Sequence, residues 1–243
     1  MQTKTDKYEI ISLGINCLPR TVLTRGNVKP SKNDGELSCP FDLVSHPIEN
    51  IVRYLETNFD DYFDDLFFKI RKRNFFDFRK KGLWQKMDGT KFFHDKDCKS
   101  CDKEKLILRI KNRIKNFYKI IESDTPILFV LYIKEKSEYI NEIFNTLQKL
   151  CSHKHFELAI IDFNNSVDLK KNNSFYLLKL PKPIKTFNTD WNTTKYRNSE
   201  LGVYVEKCIC DFIKEILDKD FNNNSNVCAS NDPQNQHTGL IPE

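Results

Sequence analysis

Apolar residues along this chain fall into two alternating patterns. A continuous apolar run at 127–133 and mostly apolar runs at 8–13, 156–163 and 175–180 have the length and the β-branched or aromatic character of buried strands. Around them, apolar residues return every three or four positions, as one face of a helix requires. Ile48, Ile51, Val52 and Leu55 mark one such helix after Pro47. Leu106, Ile110, Ile114, Phe117 and Ile121 mark a longer one over 102–122 that Asp102 can cap. Ser137 can cap a third, carrying Ile140, Ile143, Phe144 and Leu147. A last helix over 199–218 carries Leu201, Tyr204, Val205, Cys208, Phe212 and Ile216. Pro19 suits the first turn of a short helix over 18–25, where no partner for its missing N–H is needed. Strands separated by helices predict an α/β fold with a mostly parallel central sheet and helices on both faces, because each crossover restores the strand direction.

The remaining segments lack a period. Residues 26–40 read as loop, punctuated by Gly26, Pro30, Asn33-Asp34-Gly35 and Pro40. Residues 59–95 form a charged, aromatic insertion whose one turn signal is a hairpin around Asp88-Gly89. Beyond Asp220 the composition shifts to Asn, Ser, Asp, Gln and Pro, which predicts a disordered tail over 221–243 after a single domain over 1–220. At 243 residues and 39% hydrophobic, the chain can bury a full core. No apolar run approaches the roughly 20 residues that span a bilayer, and residues 1–9 are polar, so a cytoplasmic protein without a membrane partner is expected. The sequence carries no signal of oligomeric state.

Eight cysteines at irregular spacing are too few for a disulfide scaffold, which leaves free thiols, metal ligands or a nucleophile. Cys17 is the leading candidate nucleophile. It follows the first strand and the loop Gly14-Ile15-Asn16, and precedes a helix, so backbone N–H groups and the helix dipole favour an anion there and would lower its pKa. The same amides and the Asn16 side chain could donate to a developing oxyanion, with the Gly14 loop binding substrate. A lone cysteine is as readily a small buried hydrophobe. The five histidines are His46, His94, His153, His155 and His237. His94, in Phe92-Phe93-His94-Asp95, has aromatic neighbours to desolvate it and an acid to orient it. His46 competes less well, His153 and His155 precede their strand at the opposite end of a parallel sheet, and His237 falls in the tail.

Ile11-Ser12-Leu13-Gly14-Ile15-Asn16-Cys17, then Cys39-Pro40-Phe41-Asp42, then Phe93-His94-Asp95 resemble the motifs of a family described as putative papain-like cysteine peptidases. By motif the resemblance spans about 8–95, and by element order it extends loosely to about 215. It implies a thiol nucleophile at Cys17 and a base at His94. Asp42 matches the family's acid and would orient His94 or shape the pocket, with Asp95 the other acid that would hold the imidazole. Leu43 stands where the family has tryptophan, which alters one wall of any pocket. A papain-like α+β arrangement is therefore the alternative to the parallel sheet. The expected substrate is a peptide or another amide- or ester-containing molecule, with no cofactor.

Three other readings compete. His94, Cys98 and Cys101 offer one arm of a zinc site, which would make zinc the cofactor and remove His94 as a free base. Residues 69–76 and 79–84 interleave cations with aromatics as single-stranded nucleic-acid surfaces do. Asp60, Asp61, Asp64 and Asp65 can neutralise them, and a net charge of +5 does not by itself call for nucleic acid, so a solvated, salt-bridged insertion is expected. An esterase-like hydrolase on a flavodoxin-like sheet would also carry its nucleophile after the first strand. Asp162 and Asp190 lie on the right rim, but no histidine follows Asp190 before the tail.

Overall fold

Continuous apolar runs need burial on both faces, and the central sheet supplies it. The computed structural model describes residues 8–70, 82–95, 97–98, 100–134, 138–163, 175–180 and 193–228, with side chains through Lys219 except that of Lys32. Strands β1 (Glu9–Ser12), β5 (Ile127–Ile133), β6 (Phe156–Asp162) and β7 (Tyr176–Lys179) form a four-stranded sheet in the order β1-β5-β6-β7. Every pair in it is parallel, with Ile11 opposite Phe129 and Leu131 opposite Ile160. All seven residues of β5 are buried, as befits a central strand.

Alternation along β5 divides the core in two. Ile127, Phe129, Leu131 and Ile133 pack with α2 (Ile48–Glu56), α3 (Lys103–Ile121) and α4 (Tyr139–Leu150). Leu128, Val130 and Tyr132 face α1 (Leu18–Arg25) and α6 (Glu200–Cys228), which follows the one-turn helix α5 (Thr194–Arg197). This is the α/β fold with helices on both faces, and the main sheet is parallel rather than the α+β alternative. Its parallel sense puts the carboxyl ends of all four strands on one rim.

Between α2 and α3 the chain builds a second, antiparallel sheet from β2 (Phe67–Ile70), β3 (Gly82–Gln85) and β4 (Lys91–Phe92). The predicted hairpin at Asp88-Gly89 joins β3 to β4. Lys86 N–H donates to the Thr90 carbonyl at 2.9 Å, and Gly89 takes a φ of +92°, which its missing Cβ allows. Residues 59–70 and 82–95 are thus more ordered than their lack of period implied, because strands of two to four residues are held by pairing across the sequence rather than by local pattern. Much of the cation-aromatic stretch, 71–81, and the Ser137 cap lie outside the described residues.

The last helix also runs further than expected, through Cys228, so 221–228 is helical although the sequence placed it in the tail. Extending an existing helix adds a backbone hydrogen bond per residue without a new nucleation cost, and a polar composition does not prevent that.

Beneath the first face, Phe41, Tyr54, Phe59, Tyr62 and Phe117 form a ring cluster with edge and tilted contacts at 4.4–6.3 Å. Phe117 is fully buried there and ties α3 to the loops that precede the small sheet. Phe117→Ala is expected to cost about 3–5 kcal/mol, read as a shifted midpoint in denaturant unfolding with an unchanged slope.

Candidate active site

β1 ends at Ser12, and Leu13 N–H still donates to the Val130 carbonyl at 2.9 Å, so the chain leaves the sheet at Gly14. A Cβ on Gly14 would overlap the Asn16 carbonyl oxygen and press on the Pro19 ring at 3.0 Å. Gly14 therefore acts through its size: it lets the loop fold tightly onto the start of α1. Asn16 Oδ1 accepts the Leu18 N–H at 2.8 Å, and Pro19 has no N–H, so two of the four amide positions at this helix start are not open to a ligand. Cys17 occupies the N-cap, half-buried, at the rim where the sheet's carboxyl ends lie.

The small sheet delivers the other partner. His94 comes two residues after β4, and its Nε2 lies 2.9 Å from Cys17 Sγ although 77 residues separate them in sequence. Asp95, fully buried, anchors the loop that carries His94. Arg113 bonds both carboxylate oxygens at 2.8 and 3.1 Å, and Arg109 adds a bond at 2.9 Å while holding Asp97 at 2.7–2.8 Å. Behind this loop, Trp84 Nε1 donates to the Cys98 carbonyl at 3.1 Å.

A sequence model of the putative papain-like cysteine peptidases matches residues 8–167, which takes in both Cys17 and His94. The chain belongs to that family. No curated protein and no solved structure matches it.

In this family member the two carboxylates expected to orient the imidazole have other partners. Asp95 is held by two guanidinium groups, as a fully buried carboxylate requires. Asp42, also fully buried, accepts the Cys39 N–H at 2.6 Å and lies 3.6 Å from Arg20 Nε, so it ties the 39–42 turn to α1. Burial pushes the Asp42 carboxyl up, with Lys29 and Arg20 opposing. Arg20 also pairs with Glu36 at 2.6 Å, and Glu36 with Lys29 at 2.9 Å, giving a charged cluster beneath α1.

Sequence reasoning missed several of these groups. Thr21, one turn beyond Cys17, brings its hydroxyl within hydrogen-bonding reach of the sulfur, a spacing of four that sequence could have flagged. Arg109 and Arg113 share the same spacing on α3, and Arg113 interrupts that helix's apolar stripe.

The thiol departs from expectation. Burial raises the Cys17 pKa, and this outweighs the lowering by the Thr21 hydroxyl, its own amide, Arg20 and Arg25. The helix start thus does not by itself make a thiolate.

The competitor His46 is buried, with Nε2 2.7 Å from the Tyr62 hydroxyl and its ring against Phe41 and Tyr54. Burial pushes its pKa down to about 3. Cys98 is buried and Cys101 is exposed beside Asp102. Among the described residues no three His, Cys, Asp or Glu side chains converge on a metal position, and no helix is long and apolar enough to cross a membrane.

Two outcomes follow from these shifts. Without its partner, in His94→Ala, the Cys17 thiol should be alkylated by iodoacetamide with a pH midpoint above that of free cysteine measured alongside. The unfolded chain binds a proton at His46 below about pH 6.5 that the folded chain refuses. Stability is therefore lost as pH falls, by about 1.4 kcal/mol per unit once well below that value and until the folded pKa is reached. Denaturant unfolding at pH 7, 6, 5 and 4 should show this acid-side slope reduced in His46→Gln.

Proposed function

We propose that this protein is a thiol-dependent hydrolase or acyltransferase that uses Cys17 as nucleophile and His94 as general acid and base. The observation that carries the reading is the 2.9 Å separation between Sγ and Nε2, which is hydrogen-bonding reach for a nucleophile and its base. Membership of a cysteine-peptidase family supports it.

In the first step the Cys17 proton passes to His94 Nε2 as the sulfur attacks the carbonyl carbon, so a C–S bond forms and the carbonyl oxygen gains a negative charge. The Cys17 amide and Asn16 Nδ2 are the donors for that oxyanion, since Asn16 Oδ1 is already engaged at Leu18. The tetrahedral species collapses, the leaving amine or alcohol takes the proton from His94, and the acyl group stays on sulfur. Water or another acceptor, deprotonated by His94, then releases it and the thiol regains its proton. The substrate class is a peptide or another amide- or ester-containing molecule.

The test offers the purified protein a fluorogenic peptide library and a p-nitrophenyl ester series, with intact-mass detection of an acyl adduct. Wild type should form an adduct that maps to Cys17, and Cys17→Ala should form none. His94→Ala should turn over about 10²–10⁴-fold more slowly, the usual contribution of a positioned base. Turnover persisting in folded Cys17→Ala would overturn the assignment.

A further inference from the structure

Nucleophile and base come from different sheets, so something must fix the distance between those sheets. Ser45 lies between them. Its backbone forms a two-bond antiparallel bridge with Lys91, Ser45 N–H to the Lys91 carbonyl at 2.9 Å and Lys91 N–H to the Ser45 carbonyl at 2.8 Å. Lys91 begins β4, three residues before His94. The Ser45 hydroxyl points the other way and donates to the Ile15 carbonyl at 3.0 Å, two residues before Cys17. His46 N–H donates to that same carbonyl at 3.2 Å, and Ile15 N–H reaches back to the Tyr132 carbonyl at the end of β5 at 3.5 Å. A continuous chain of hydrogen bonds thus runs from the parallel sheet, through Ile15 and Ser45, to the strand that delivers the histidine.

We infer that Ser45 is a positioning residue that sets the separation of Cys17 and His94 through its hydroxyl bond to Ile15. The inference rests on the dyad reading above and adds a residue that touches neither reacting atom. The backbone bridge to Lys91 survives any side-chain change at 45, and the hydroxyl bond does not. The loop bearing Cys17 would then be tied to the 45–46 segment by the His46 N–H alone. A base held slightly off its hydrogen-bonding distance loses its advantage steeply.

The test compares Ser45→Thr, which keeps a hydroxyl, with Ser45→Val, its isostere without one, each made in the wild-type and His94→Ala backgrounds. The readout is the iodoacetamide alkylation rate of Cys17 at pH 7, resolved from the other cysteines by peptide mapping. Ser45→Thr should alkylate at close to the wild-type rate. Ser45→Val should be slower by about five- to tenfold, the worth of one net hydrogen bond. In the His94→Ala background Thr and Val should be indistinguishable, because there is no longer a contact for the hydroxyl to set.

Equal slowing by Val in both backgrounds would overturn the inference, since it would show a loss of local structure rather than of dyad distance. Equal rates for Thr and Val in the wild-type background would overturn it as well. If His94→Ala itself leaves the rate unchanged, the dyad reading fails first, and that outcome is distinct from either of the others. Thermal unfolding of each variant checks the fold. Should Ser45→Val fail to fold, Ser45→Ala against Ser45→Thr makes the same comparison.

Discussion

The junction at Ile15 is the constraint on which the site depends. Each of the two sheets pairs its own interior strands, and that pairing alone does not oblige the two to meet at a set distance. Here Ile15 leaves the first sheet with its N–H directed to Tyr132, while its carbonyl receives the segment that bridges to β4. Its side chain packs against both halves of the core. A short stretch of main chain therefore fixes the rim of one layer to the edge of the other, and the sulfur and imidazole lie on either side of that joint.

Charge is buried on both sides of the same joint. Beneath α1, Lys29, Glu36, Arg20 and Asp42 form one paired cluster, and beneath the His94 loop Asp95 is clasped by Arg109 and Arg113. Such pairs add little net stability, because desolvation offsets most of their attraction, but breaking one leaves an uncompensated buried charge. Their effect is to hold geometry: one fixes the turn at 39–42 to α1, the other fixes the loop of His94 to α3. The sulfur between them is partly withdrawn from water, which favours the neutral thiol.

Legibility from sequence followed how local the stabilising interactions are. The stripe of Leu106, Ile110 and Phe117 and the unbroken run 127–133 are decided by neighbours three or four residues away or by burial on both faces, and both elements lie where the pattern put them. Residues 59–95 were opaque because their strands are short and their partners distant: Phe68 pairs with Trp84, and Trp84 with Phe92. The motif around Gly14 and Cys17 marked the strand-loop-helix turn, since that turn is local and demands a residue without a side chain. The acids were harder to place. Asp42 and Asp95 stand in the motifs, but their actual partners, Arg20, Arg109 and Arg113, come from elements that sequence could not bring near them.

By itself, then, the sequence determined the layered α/β architecture and the site's principal residue types, because hydrophobic period and a tight glycine turn are properties of contiguous residues. Only the tertiary structure decided how close His94 comes to the sulfur, what each buried carboxylate holds, and in which direction burial moves the thiol pKa. Those outcomes depend on contacts between residues as much as 77 positions apart and on how much water the fold excludes around one atom, and neither is written in any local pattern.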